Sequence, residues 1–403
     1  MIVDQLTKII NGNAFPYSRK IFEDFSDKLC SLWTVYILIL FSSIITVHSY
    51  FFNPFTCYVD QGLNGQNFLS FVQSYCWAHG TYSIGPNEKF PRNTKDWMFL
   101  NNKIKYYQWI PFILALQTIG FYFPKMLWNN YLQRVFGVDI EYYFEKEIPK
   151  SRFSDDDISN LTKIIKNSLH EFHKYPKVRK STRLFTLFFI QSKLLRGYYA
   201  YKILFFMNCL FQVVFIHKIL GLSYSISSFH QVIEFYVYNN TDTNWNVYFP
   251  KVSYCLVNYI ASIGDHLCYT AQCVLTVNMI NEKIYLFLWV WTIIAGLLVF
   301  ISTLWWFKEL LLEYYIRNHV KSLIMVWKIS VTREMVDKFV KDYLHGDGLF
   351  VLLMLVKIQN KLLVQLIFRN LWNSFMKAYQ PGRLLPRSDG NKVEKLNENL
   401  GFV

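Results

Sequence analysis

Lys105–Lys125 reads KYYQWIPFILALQTIGFYFPK, and between its two lysines stand nineteen residues, 106 through 124, without an acid or a base. At about 1.5 Å rise per residue a helix of that length covers roughly 28 Å, close to the hydrocarbon thickness of a bilayer. Aromatic rings crowd both ends: Tyr106, Tyr107 and Trp109 at one, Phe121, Tyr122, Phe123 and Trp128 at the other. Amphipathic rings favour the headgroup zone, so the stretch predicts a membrane helix with an anchoring belt at each face. Pro111 and Pro124 stand near its ends, where a missing N–H costs least, with Pro111 placed to kink the first turn. A buried helix of a large soluble protein is the competing reading, and three similar stretches argue against it.

Working outward, residues 32–52 (LWTVYILILFSSIITVHSYFF) form the first of those stretches and Ile284–Phe307, twenty-four residues without Asp, Glu, Lys or Arg, the last. The remaining one, Ile203–His217, is uncharged for only fifteen residues and needs Tyr199–Leu222 to cross, with Lys202 and Lys218 reaching toward the interfaces. A chain of 403 residues that is 53% hydrophobic and 19% aromatic is too oily for several soluble domains. The first 28 residues lack the apolar core of a signal peptide, so the first span is expected to serve as the insertion signal.

The formal charge of +14 first suggests nucleic acid. The positions of the bases overturn that reading. There are 4 Lys and Arg before the first span, 13 in Asn129–Tyr201 and 15 from Lys308 onward, against 5 in Asn53–Lys105 and 2 in Gly221–Lys283. Bases stay cytoplasmic during insertion, so both termini and the middle loop are expected in the cytosol, where the surplus also suits anionic lipid. The expected fold is an all-α polytopic membrane protein with four transmembrane helices, some β structure in disulfide-braced extracellular loops, and a helical cytoplasmic domain. Its divisions are a cytoplasmic amino-terminal segment (1–30), spans at 31–52, 106–128, 199–222 and 284–307, extracellular loops at 53–105 and 223–283, a helical cytoplasmic loop (129–198), a helical tail (308–379) and a disordered end (380–403).

The cysteines fit this division. Cys57 and Cys76 fall in the first outside loop, Cys255, Cys268 and Cys273 in the second, and Cys30 and Cys209 at or in spans. None lies in the long cytosolic segments, which suits disulfides in an oxidising compartment. Four cysteines allow three pairings, and spacing does not choose among them. In the cytosolic loop, Ile158, Leu161, Ile164, Ile165, Leu169 and Phe172 recur at helical spacing across Ser154–Tyr175. The tail reads as helices over Met325–Leu344 and Phe350–Met376, parted by His345-Gly346-Asp347-Gly348.

Several constellations have dull readings that outweigh the sharp ones. His170 and His173 could share a helical face for a metal, but the other histidines are scattered, and a solvated face is the better account. Gly346-Asp347-Gly348 lacks the strand–helix setting of a phosphate loop and reads as a helix breaker. No Ser/His/Asp grouping or cluster of polar residues at one membrane depth suggests an enzyme, and no cofactor or metal is expected. Ionisable residues inside the spans are too few for a pump. Asn239-Asn240-Thr241 is an N-glycosylation acceptor in the second outside loop, whereas Asn160-Leu161-Thr162 faces the cytosol and should stay bare.

Tyr106-Tyr107-Gln108-Trp109, followed by Pro111, resembles the signature of the innexins, the invertebrate gap-junction proteins related to the pannexins. Phe25-Ser26-Asp27-Lys28-Leu29 resembles that family's run before the first span. Pro54-x-x-Cys57 and Tyr75-Cys76-x-x-His79-Gly80-Thr81-Tyr82 are similar to its first-loop motifs. Phe249-Pro250-Lys251-Val252-x-x-Cys255, Gln272-Cys273-Val274-Leu275 and Asn281-Glu282-Lys283-Ile284 are similar to those around its second loop. Asp347-Gly348-Leu349-Phe350-Val351-Leu352 and Leu371-Trp372 continue the likeness, which covers residues 20–375. Asn53, Tyr58, Leu353 and the extra Cys268 depart from the family pattern; Cys268 is expected to be either buried and free or a competitor in pairing.

The resemblance implies a structural subunit of a gap-junction channel in the plasma membrane: a homo-oligomer, octameric in the family, docking to a hemichannel of the adjacent cell, with or without other innexin subunits. An undocked, pannexin-like hemichannel releasing ions and metabolites such as ATP is the alternative. It also implies bridges Cys57–Cys273 and Cys76–Cys255. The amino-terminal segment, with Met1, Asp4 and Lys8, is implied to line the pore mouth. One Asp4 per subunit would form a ring of negative charge there, offset by Lys8.

Overall fold

In chain order the computed structural model places α1 (Phe25–Phe51), β1 (Phe55–Tyr58), α2 (Gln66–His79), β2 (Thr81–Tyr82), β3 (Lys103–Ile104), α3 (Ile110–Phe136), α4 (Lys193–Leu220), β4 (Val252–Ile260), β5 (His266–Leu275), α5 (Thr276–Leu311), α6 (Glu313–Met325), α7 (Arg333–Lys338), α8 (His345–Lys357) and α9 (Lys361–Ala378). It describes residues 22–52, 54–59, 66–84, 90–91, 97, 103–136, 159, 162–163, 192–220, 249–260, 266–311, 313–325, 332–357 and 361–378. Met1, Asp4, Lys8, His170, His173, Asn239 and everything from 380 onward lie outside the described residues, as does nearly all of Ser154–Tyr175.

Among the described residues four helices, α1, α3, α4 and α5, are long and apolar enough to cross a membrane. Each runs past the uncharged stretch that marks it in the sequence, because a helix need not end where its apolar run does. α5 begins eight residues before Ile284, so Asn278, Asn281 and Glu282 are helical and buried. α3 carries Pro111 in its first turn and continues through Pro124 to Phe136. Pro124 removes one backbone donor, a loss that membrane helices absorb by small local adjustments.

The chain divides into two compact units. The first comprises Asp24–Leu127 and Tyr201–Ser302. Within it the helices meet through small and polar side chains, as membrane helices do where lipid supplies no hydrophobic drive. Ser42 Oγ donates to the Pro111 carbonyl (3.2 Å), Gln117 Nε2 to Gln212 Oε1 (3.0 Å) and Trp291 Nε1 to Thr34 Oγ1 (2.9 Å). At Gly296 a Cβ would stand 3.3 Å from that of Cys209, so α4 and α5 approach closely there.

Lys202 does not reach for the interface. It is fully buried, with Nζ 2.7 Å from Asp27 Oδ1 and donating to Ser26 Oγ (2.8 Å) and Ser302 Oγ (2.9 Å). Asp24 completes the cluster: it caps α1 by accepting from Phe25 N (2.7 Å) and accepts from Ser302 Oγ (2.6 Å). A buried ammonium is tolerable only with such a set of acceptors. Lys218, by contrast, is exposed.

The second unit comprises Met1–Glu23, Trp128–Ala200 and Thr303–Val403. Its centre is aromatic. Tyr198 packs against Trp128 (5.6 Å between centroids), Trp306 (5.5 Å) and Phe350 (5.0 Å). In the tail Phe339 meets Phe368, Trp372 and Phe375, which α9 presents on one face together with buried Val364, Ile367 and Leu371. The expected break at His345–Gly348 is absent. A π-helical turn, Phe339–Leu344, runs directly into α8, which starts at His345. Two glycines cost a helix about 1 kcal/mol each, and burial of Phe339, Leu344, Leu349 and Phe350 outweighs that.

Candidate functional site

β1, β5, β4, β2 and β3 make one sheet in that order, every neighbouring pair antiparallel. Its frame is the β4–β5 hairpin, paired from Val252↔Val274 to Ile260↔His266. Side chains alternate along a strand, so Ser253, Cys255 and Val257 point inward with Ala271, Cys273 and Leu275. β1 adds Phe55 and Cys57 to that face, and α2 covers it with Val72 and Cys76.

This register sets the sulfurs. Cys57 and Cys273 are directly opposed on β1 and β5, with Cα atoms 4.0 Å apart, and are joined by a disulfide. Cys76 on α2 is joined to Cys255 on β4 across 5.8 Å. The Cys57, Cys76 and Cys273 sulfurs lie within 4.8 Å of one another. Each is spent in a bridge and offers no thiolate to a metal. Cys268 is neither buried nor bridged: it is exposed on β5, its thiol donating to Asn258 Oδ1 (3.1 Å) across the hairpin.

The Tyr-Tyr-Gln-Trp stretch ties this cap to α3. Tyr107 is fully buried, its ring against Phe55 (5.1 Å) and Trp77 (4.9 Å) and its hydroxyl donating to the Cys76 carbonyl (3.4 Å). Gln108 Nε2 donates to the Trp77 carbonyl. Those carbonyls belong to the last turn of α2, which has no internal donors for them. Gly80 closes that turn at φ +87°, its N–H donating to Cys76 O (3.0 Å), and a Cβ there would stand 2.6 Å from the Ile104 carbonyl. Tyr106 packs on Phe249 (5.8 Å) from the other loop, while Trp109 is 62% exposed. Two proline carbonyls anchor α5 beneath the sheet: Pro54 O accepts from Thr276 Oγ1 (2.9 Å) and Pro250 O from Asn278 Nδ2 (3.1 Å). Nothing local in the sequence marks these carbonyl locks, and α2 shows there only as Phe68, Val72 and Cys76 at helical spacing.

The innexin family profile matches residues 23–375. The chain belongs to the innexin family. Innexin-11 of Caenorhabditis elegans is 27% identical over 82% of this chain and 74% of its own length. Innexin unc-9 of the same species is 27% identical over 88% and 92% respectively, and innexin-19 of Caenorhabditis briggsae is 25% identical over 88% and 86%. Innexins are gap-junction channel subunits, and with four helices long and apolar enough to cross a bilayer this innexin is a multi-pass membrane protein of that class. Family membership points to an oligomeric channel, not to an enzyme.

Proposed function

We propose that this innexin assembles into a homo-octameric hemichannel whose extracellular caps dock with those of a neighbouring cell, passing ions and small solutes between the two cytoplasms. The observation that carries this is the cap. Bridges between residues 216 and 179 positions apart hold both loops in one sheet, so docking demands little further ordering. That sheet also presents Tyr58 (69% exposed), Ile260 (66%), Leu267 and Val274 to its surroundings.

Assembly has support of its own. Only 33–39% of each span is buried within the chain. α3 leaves Phe112, Leu116, Ile119 and Phe123 exposed as one apolar stripe, suited to lipid or to a helix of the next subunit. The distribution of bases supports cytoplasmic termini. The family resemblance, not the orientation alone, suggests Met1, Asp4 and Lys8 for the pore mouth, where a ring of Asp4 carboxylates would favour cations and Lys8 would offset it.

The acceptor at Asn239 favours a second reading, an undocked hemichannel releasing ions and metabolites such as ATP, because a glycan there would hold two caps apart. Electrical recording from paired cells, each expressing this chain alone, separates the two. Junctional current is the outcome for docking, and current confined to unpaired cells the outcome that overturns it. Asn239→Gln is then expected to raise junctional current only if enzymatic deglycosylation shifts the wild-type band.

A further inference from the structure

α4, the third span, begins at Lys193, and its first amides need acceptors from outside the helix. The preceding residue, Ser192, would ordinarily accept from them, but its buried hydroxyl has no hydrogen-bond partner among the described residues. The acceptor comes from the tail instead. Asp347 Oδ2 accepts from Lys193 N (3.0 Å), and Oδ1 from Leu194 N (3.0 Å) and Leu195 N (3.2 Å). Asp347 is 2% exposed. The Gly-Asp-Gly motif thus has a task that neither the helix-breaker reading nor the channel reading assigns to it.

We propose that Asp347 is a positioning residue for gating, a latch through which the carboxy-terminal helices hold the first turn of the third span. The inference rests on the channel reading for its consequence and on the cap geometry for its mechanism. A carboxylate at a helix start meets three donors and the positive end of the dipole, which offset part, but not all, of the cost of burying its charge. Among the described residues, Arg196 and Tyr131 face it. Arg196 stands on α4 itself, its Nε donating to Ser192 O (3.3 Å), and Tyr131 on α3 donates its hydroxyl to Lys193 O (2.8 Å).

The latch is sensitive to protons, with a sign that follows from burial. Burial pushes the Asp347 carboxyl up to about 6, against the pull of the three amides and Arg196. Released into water it would return to the ordinary carboxylate range, so the latched state binds the proton more tightly. Acidification through about 6 therefore tightens the latch, and a shift of this size changes its equilibrium by up to about a hundredfold.

Hydrogen exchange on the full-length, detergent-solubilised chain tests the geometry. Protection of the Lys193–Leu195 amides, corrected for intrinsic rate, is expected to rise as the pH is lowered from 7.5 to 5. In Asp347→Ala it is expected to fall at least tenfold at every pH. Flat wild-type protection, or an alanine variant protected like the wild type, overturns the latch, and the wild-type curve decides even if the variant does not fold. Recording with cytoplasmic pH stepped over the same range tests the consequence. Asp347→Asn should behave at neutral pH like the acidified wild type and lose the step near 6, whereas an unchanged step overturns the gating role. Absence of any wild-type current would count against the channel reading and leave the exchange result standing.

Discussion

Lys202 Nζ lies 2.7 Å from Asp27 Oδ1, and neither side chain is exposed. The pair joins the start of the first span to the third within one compact unit. Removing one partner of a buried pair strands the other charge, at a cost of about 3–5 kcal/mol. Asp27→Asn and Lys202→Met are each expected to lower the melting temperature and the surface yield of the solubilised oligomer. The double variant Asp27→Leu/Lys202→Met should recover part of the loss, since neither member of the fully buried pair is left without the other. Equal losses in single and double variants would contradict the pairing.

The two bridges should respond unequally to mutation from the fifth cysteine in the cap. Cys57→Ser or Cys76→Ser opens a link between distant residues and is expected to cost about 2–5 kcal/mol, seen as lost surface expression. Cys268→Ser, at an exposed and unbridged position, should leave expression unchanged. Peptide mapping without reduction checks the pairing itself, with Cys57–Cys273 and Cys76–Cys255 fragments expected.

Tyr107 is the packing centre of the cap. Tyr107→Ala is expected to destabilise by about 3–5 kcal/mol, by the cavity it leaves among Phe55, Trp77 and Cys76. Tyr107→Phe keeps the ring and gives up only hydrogen bonds of 3.4 and 3.5 Å, so about 1 kcal/mol or less is expected. Thermal melts of the purified chain compare the two.

Asp347 gives the stability a definite pH dependence. Its folded-state value of about 6 exceeds the ordinary 3.8, so the proton favours the folded form. The contribution is fully present below about 3.8 and is lost as the pH rises through about 6. The melting temperature of the wild type relative to Asp347→Asn should therefore climb as the pH is lowered from 7.5 to 5. A constant difference would remove Asp347 as the source.

Pore charge is the remaining prediction. If Asp4 lines the pore mouth as proposed, Asp4→Asn is expected to move the reversal potential in asymmetric salt toward anion permeation and Lys8→Gln to move it the other way; an unchanged potential in Asp4→Asn would remove the ring.

What the sequence disclosed depended on how local the cause was. The spans were legible because a bilayer demands some twenty apolar residues in a row, a condition written on one stretch at a time. Lys202 in such a stretch reads as a snorkelling lysine, since its partner Asp27 lies 175 positions away and nothing near Lys202 announces it. Gly346-Asp347-Gly348 reads as a breaker for the same reason: the amides that give Asp347 its purpose belong to residues 193–195. α2 was hidden differently. Its apolar positions are spaced for a helix, but they sit among polar residues in a loop that also carries Cys57 and Cys76.

The proposed topology puts the disulfide-braced cap outside the cell and the carboxy-terminal helices inside it. A membrane-impermeant maleimide applied to intact cells tests this directly, because Cys268 is exposed on the cap and Lys377 is exposed on the tail. The wild type should label at Cys268 without permeabilisation, and Cys268→Ser/Lys377→Cys should label only after it. Labelling of the tail position in intact cells, or failure to label Cys268, would contradict the arrangement.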